Sequence, residues 1–437
     1  MKPINVGLLG IGTVGRGTFE VLARNQEEIT RRAGRGIVIT MVADKEVDKA
    51  RALVGKAAVV TADAFEVVKH PDIDIVVELI GGTTVAQQLI LKAIENGKHV
   101  VTANKALLAT HGNEIFAAAQ KKDVMVAFEA AVAGGIPIIK ALREGLTANR
   151  IEWIAGIING TSNFILSEMR DKGLSFETVL TEAQRLGYAE ADPTFDIEGI
   201  DAAHKLTIMS AIAFGIPIQF DKAHVEGISK LEADDIKYAE QLGYRIKLLG
   251  ITKRKTDGIE LRVHPTLIPA KRLIANVEGA MNAVLVQGDA VGATLYYGKG
   301  AGAEPTASAV IADLVDVTRL LTVDPEHRVP HLAFRPDSLA DTPILPQSEV
   351  ETSYYLRLRV EDKPGVLADI TRILADQSIS IEAMIQREPG AGEEQTDIIM
   401  LTHVTREKQI DAAIARIEAL PVVKRKVIRL RLEELDK

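Results

Sequence analysis

The stretch from residue 5 to residue 24 constrains the fold more than any other. A nearly all-apolar run, 5–9, leads directly into Gly10-Ile11-Gly12-Thr13-Val14-Gly15, and 16–24 continues with helical periodicity. A G-x-G-x-x-G alone is weak, because glycine-rich turns produce it by chance. After a buried-type strand and at the opening of a helix, it stands in the setting that a dinucleotide-binding turn requires. Gly10 permits the tight turn, Gly12 lets the backbone approach a pyrophosphate, and Gly15 lets helix and strand pack closely. The first helical amides, at Thr13 and Val14, present partial positive charge to phosphates.

Further apolar runs at 38–43, 75–80, 99–102 and 124–130 alternate with helix-like stretches such as 84–95 and 113–121. Runs without in/out alternation suit parallel strands covered on both faces. Right-handed crossovers wind them into a Rossmann-type doubly wound α/β domain over residues 1–133. Asp44 ends the second strand, where a carboxylate bonds adenosine ribose hydroxyls and repels a 2'-phosphate, which argues for NAD. Lys45 and Arg51 lie close by and keep NADP open.

Ala133-Gly134-Gly135-Ile136-Pro137 ends that regime, and 134–304 reads as a mixed α+β domain for substrate, catalysis and dimerisation, with strand-like stretches at 151–158 and 259–265. A glycine-rich turn at 296–302 precedes a predicted helix over 307–321. Residues 305–330 are expected to pack back on the nucleotide domain, with Gly302 beside the cofactor. Residues 331–350 have prolines and no periodicity, and read as a linker. From 351 to 437 the order is strand 354–360, helix 366–377, strand 379–387, a glycine-rich hairpin, strand 396–403, helix 407–420 and strand 422–430. That is a β-α-β-β-α-β module of the ferredoxin-like kind.

Composition removes several function classes. With 52 basic and 60 acidic residues the chain carries a net charge of -8, which offers no basic field for nucleic acid. No apolar run reaches membrane-spanning length and the first residues lack a signal-peptide layout, so a cytoplasmic protein is expected. The absence of cysteine excludes disulfides, thiolate zinc sites and catalysis through a thioester or thiohemiacetal. None of the 9 histidines stands in a metal-ligand spacing.

Two lysines carry candidate chemistry. Lys105, in Thr102-Ala103-Asn104-Lys105, follows the 99–102 strand near the carboxyl end of the sheet, where a doubly wound fold holds its ligand, and is a candidate to hold a substrate or cofactor oxygen; a solvated loop lysine is the plain alternative. The stretch 187–205 sets many carboxylates ahead of Lys205. Asp201 and Lys205 are four apart on a predicted helix and share a face, and the flanking Ala202-Ala203 and Leu206-Thr207-Ile208-Met209 are too apolar for full exposure. A partly desolvated lysine tied to an aspartate suits proton transfer. A surface ion pair is the plain alternative.

Taken in order, the glycine turn, Thr-Ala-Asn-Lys at 102–105, Gly160-Thr161-Ser162-Asn163-Phe164-Ile165-Leu166, Tyr-Ala-Glu-Ala-Asp-Pro at 188–193 and the stretch from Asp201 to Lys205 resemble the homoserine dehydrogenases that carry a C-terminal ACT domain. The resemblance spans essentially the whole chain. It implies NAD(P)-dependent interconversion of L-aspartate 4-semialdehyde and L-homoserine, with Lys205 as proton donor, Lys105 assisting and Asp201 orienting the lysine. It further implies that Glu190 and Asp196 hold the substrate, Glu190 at its amino group. Backbone carbonyls of Glu129, Val132, Gly134 and Ile136 would hold a sodium or potassium ion. The chain departs from NADP-preferring members, which commonly have an arginine at the end of the second strand, by carrying Val42-Ala43-Asp44. The turn Asp362-Lys363-Pro364-Gly365-Val366-Leu367 is similar to that of ACT domains, which implies threonine as effector, with a dimerisation or solubility module that has lost its ligand as the alternative; a homodimer or homotetramer is expected.

Two other readings stay open on the residues alone. One is a different amino-acid dehydrogenase of the same fold; the other is a dinucleotide or amino-acid sensor without turnover. A sensor has no use for a desolvated lysine beside aspartates, so Lys205 separates them.

Overall fold

The computed structural model describes residues 2–388 and 394–435. Six strands, β1 (Ile4–Leu9), β2 (Ile37–Ala43), β3 (Val59–Thr61), β4 (Ile75–Glu78), β5 (His99–Thr102) and β6 (Val126–Ala127), form a sheet in the order β3-β2-β1-β4-β5-β6. Every neighbouring pair is parallel. β4 is buried at every position, as strands covered on both faces must be. The order reverses between β1 and β4, which creates the crevice at the carboxyl ends where such folds bind ligands.

The helix Thr13–Arg24 buries Gly15, Gly17, Thr18, Val21 and Leu22 on one stripe, while Arg16 and Glu20 pair on its outer side. Ala303–Leu320 packs on the same layer, placing Ala307, Val310, Leu314 and Val317 in one core with Val6, Leu8, Ile37 and Val77. The approach is close: a methyl at Gly17 would lie 2.7 Å from the Ala303 carbonyl oxygen. Cutting a fully buried side chain such as Leu8 to alanine in such a core costs about 3 kcal/mol.

Two compact units emerge from the chain. The first comprises residues 1–160, 201–223 and 280–342, and the second comprises 161–200, 224–279 and 343–437. The first therefore also holds the strands Ile151–Ile157, Met281–Gly288 and Gly292–Lys299, which pair antiparallel, and the helix Ile200–Phe214 from Asp201 onward.

In the second unit the strands Ile428–Leu432, Glu351–Glu361, Gln395–Thr402 and Ile381–Gln386 lie side by side in that order, all antiparallel. The helices Val366–Asp376 and Glu407–Glu418 cover one face around Tyr354, Leu356, Ile370, Ile410 and Ile417. This is the expected β-α-β-β-α-β module. Its Arg357 pairs with buried Asp235 at 2.7 Å, and Ile428–Leu432 continues onto Ile259–Pro269. The expected glycine-rich hairpin falls mainly on 389–393, outside the described residues.

Three expectations shift at their edges. The run 124–130 yields only the two-residue β6, because Glu129–Ala131 coils into a 3-10 turn held by Asp313, which accepts the Glu129 amide at 2.8 Å. Lys105 belongs to no loop: it is the first residue of the helix Lys105–Lys121, which Asn104 caps by accepting the Leu107 amide. The last strand begins at Ile428 instead of 422, since Lys424-Arg425-Lys426 prefer water, and Val423 makes only an isolated bridge to Val360. No helix among the described residues is long and apolar enough to cross a membrane.

Candidate active site

Gly10 has φ 93°, in the region that favours glycine, and donates its amide to the Ala43 carbonyl at 2.9 Å. A methyl on Gly15 would come within 2.1 Å of the Gly10 carbonyl oxygen. Thr13 and Val14 form the first turn of the helix, so their amides lie at its positive end. Asp44 follows β2 and accepts the Ile11 amide on Oδ2 at 2.7 Å and the Glu46 amide on Oδ1 at 2.8 Å. The carboxylate thus braces the glycine turn. Gly302, with φ 122°, begins the helix Ala303–Leu320, whose first residue abuts Gly17. The turn fits a dinucleotide pyrophosphate: a helix amino terminus, a Gly12 with nothing within 4 Å of an added methyl, and an acidic side chain one strand away.

Lys205 and Asp201 occupy successive turns of the helix Ile200–Phe214, which is buried along nearly its whole length. The lysine ammonium donates to Asp201 Oδ2 at 2.7 Å and to the Ile158 carbonyl at 2.7 Å. Lys105 approaches the other oxygen, Oδ1, at 3.0 Å. Asn159, just past the strand Ile151–Ile157, donates its amide to Oδ2 at 2.8 Å. The plain alternative of an exposed pair is therefore removed, since Asp201 is 3% and Lys205 8% exposed. Burial alone would raise the Asp201 pKa, but the ammonium groups of Lys205 and Lys105 and the bonds from Lys205 and Asn159 hold it well below the usual carboxylate range. The neighbouring His204 ring packs on Phe220, and burial takes its pKa down to about 4.

Three of the expected residues are thus brought together, with one carboxylate between two ammonium groups. Glu190 and Asp196 lie in the second unit, where Glu190 is exposed and the Asp196 carbonyl accepts the Ser162 hydroxyl at 3.0 Å. Sequence reasoning passed over Asn159 and the Ile158 carbonyl. The signal available was a polar side chain closing an apolar strand immediately ahead of Gly160.

The segment Glu129 to Ile136 is buried except at Gly135, and both Ala133 and Gly134 have positive φ, 54° and 35°. Of the four carbonyls expected to face a cation, that of Glu129 accepts the Val132 amide at 3.3 Å and that of Ile136 accepts the Ile138 amide at 2.7 Å. The Glu129 side chain is committed elsewhere, accepting the amides of Ile139 at 2.9 Å and Lys140 at 2.8 Å, and burial pushes its pKa up to about 7. Among the described residues no group of three or more His, Cys, Asp or Glu side chains is placed to hold a metal ion.

A doubly wound sheet with a glycine turn at its crevice, a buried lysine–aspartate pair in the same unit and an appended β-α-β-β-α-β module are the features of a dinucleotide-dependent oxidoreductase. Three family models match the chain: the homoserine dehydrogenase NAD binding domain over residues 10–129, homoserine dehydrogenase over 137–315 and the ACT domain over 354–422. The chain belongs to the homoserine dehydrogenase family. The homoserine dehydrogenase of Pseudomonas aeruginosa is 64% identical over 436 residues, covering 100% of both chains. The crystal structure of a homoserine dehydrogenase from Thiobacillus denitrificans is 73% identical, with a TM-score of 0.96 over 100% of this chain and 99% of that one. A hyperthermophilic archaeal homoserine dehydrogenase in complex with NADPH is 26% identical, with a TM-score of 0.62 over 72% of this chain and 98% of that one.

Proposed function

We propose that the chain interconverts L-homoserine and L-aspartate 4-semialdehyde, with Lys205 moving the proton. The bound nicotinamide supplies or accepts the hydride. In the reducing direction the Lys205 ammonium donates to the carbonyl oxygen as negative charge develops on it, and in the other direction the amine takes the hydroxyl proton back. Asp201 fixes the lysine on its helical turn, and Lys105 adds a second positive charge. Glu190 and Asp196 serve the substrate, with Glu190 at its ammonium group. No thiol is required, in keeping with a chain that has none. The single observation that carries this reading is the buried Asp201 carboxylate between Lys205 and Lys105.

Thr13, Val14, the three turn glycines and Gly302 are assigned to the cofactor. Asp44 at the end of β2 supports NAD over NADP, because a second negative charge at the ribose would meet it. The carbonyls of Glu129, Val132, Gly134 and Ile136 are assigned to a sodium or potassium ion, the ACT domain to threonine feedback, and the chain to a homodimer or homotetramer.

The test is absorbance at 340 nm with full-length protein and L-homoserine, with NAD and NADP in separate assays. Growth with NAD exceeding that with NADP is expected; no growth with either removes the reading. Reduction of a keto acid only in the presence of ammonia would favour a different amino-acid dehydrogenase.

A further inference from the structure

Glu78 ends β4 and is fully buried, in a run whose other strand residues, Ile75, Val76 and Val77, are apolar. An apolar side chain would fill this place without the desolvation that a carboxyl suffers. Its bonds explain the exception. One oxygen accepts the amides of Ile80 at 2.9 Å and Gly81 at 3.0 Å. The other accepts the Thr102 hydroxyl at 2.7 Å, from the residue directly opposite on β5. Thr102 donates there, and its oxygen in turn accepts the Asn104 amide at 3.0 Å. Asn104 in turn donates to the Gly82 carbonyl at 2.7 Å and caps the helix that begins with Lys105.

One carboxylate thereby ties together two loops at the carboxyl edge of the sheet. The loop at 80–82 stands at the switch point between β1 and β4, close enough to the glycine turn that a methyl on Gly10 would lie 2.8 Å from the Leu79 carbonyl oxygen and 3.1 Å from Ile80. The other loop sets the first helical residue, whose ammonium meets Asp201. We propose that Glu78 is a positioning residue, which registers the dinucleotide-facing loop 80–82 against Lys105 through Thr102 and Asn104. The proposal rests on the assignment of Lys105 to the reaction centre.

Three variants separate the links. E78Q keeps the shape but cannot accept from both the two amides and the Thr102 hydroxyl, T102V removes that hydroxyl, and E78L also releases the amides. E78Q and T102V should lower kcat between about 10-fold and 100-fold, the range for a reacting group displaced by around 1 Å, while T102S keeps kcat within about two-fold. In a K105A background neither E78Q nor T102V should lower kcat further. E78L should in addition weaken dinucleotide binding in the absence of substrate. It should also speed hydrogen exchange at the Ile80 and Gly81 amides of the cofactor-free protein. An unchanged kcat in both E78Q and T102V, or an equal loss with and without Lys105, overturns the proposal. A K105A protein with unchanged kcat would instead overturn the assignment of Lys105 on which the proposal stands.

Discussion

Asp201 Oδ2 lies 2.7 Å from the Lys205 ammonium one helical turn away, with both side chains buried. An isolated pair at this spacing on an exposed helix contributes only a few tenths of a kcal/mol, roughly. Here the carboxylate also answers Lys105 and Asn159, so its removal leaves two ammonium groups facing each other in a site with little water. D201N is expected to lose about 3 kcal/mol of stability and most of kcat. Denaturant unfolding alongside steady-state kinetics checks both. A variant with full stability and full kcat would show that the pair is ornamental.

The glycine turn separates a packing role from a binding role. A methyl at Gly15 collides with the Gly10 carbonyl, whereas at Gly12 it meets nothing within 4 Å. G15A should therefore lower the melting temperature by several degrees, as a displacement worth about 1 to 2 kcal/mol does. G12A should leave it nearly unchanged while weakening NAD(H) binding about 10-fold or more, because the methyl stands where backbone and pyrophosphate approach. Calorimetric melting and NADH fluorescence titration read the two effects. Equal binding by G12A and the parent protein would remove the turn from the cofactor site.

His331 supplies a pH signature of the first unit. Its Nε2 accepts the Val126 amide at 3.1 Å and its ring stacks on Phe116, and burial, with Arg143 adding to it, lowers the pKa to about 4. A base with a depressed folded pKa stabilises fully above its unfolded value of about 6.5, and the contribution is lost as pH falls toward the folded value. Between pH 7 and pH 5 the stability advantage of the parent over H331N should shrink by about 2 kcal/mol. Urea unfolding of both proteins at the two pH values measures it. A constant gap would show that the ring is already charged or exposed.

The legible parts of this molecule were those written in local pattern. Continuous apolar runs gave the parallel strands, the glycine spacing gave the turn, and a separation of four put Asp201 and Lys205 on one face. What stayed hidden depends on distant partners. Asn159 reaches Asp201 across 42 positions, and Glu78 reaches Thr102 across 24. Glu78 sat in plain view as the lone charge of an apolar strand, yet only its bonds to Ile80, Gly81 and Thr102 give that charge a purpose. The Lys105 helix was missed at its start because its cap, Asn104, is held by Thr102 and Gly82 and carries no apolar periodicity.

Proton transfer by Lys205 is tested most directly by K205M. Methionine fills the buried space without a proton to give, and Asp201 keeps Lys105 and Asn159 as partners. NADH titration should show cofactor affinity within about two-fold of the parent, while kcat for homoserine oxidation falls by about 100-fold or more, the scale of a lost general acid–base group. Intact cofactor binding together with an undiminished kcat would contradict the account.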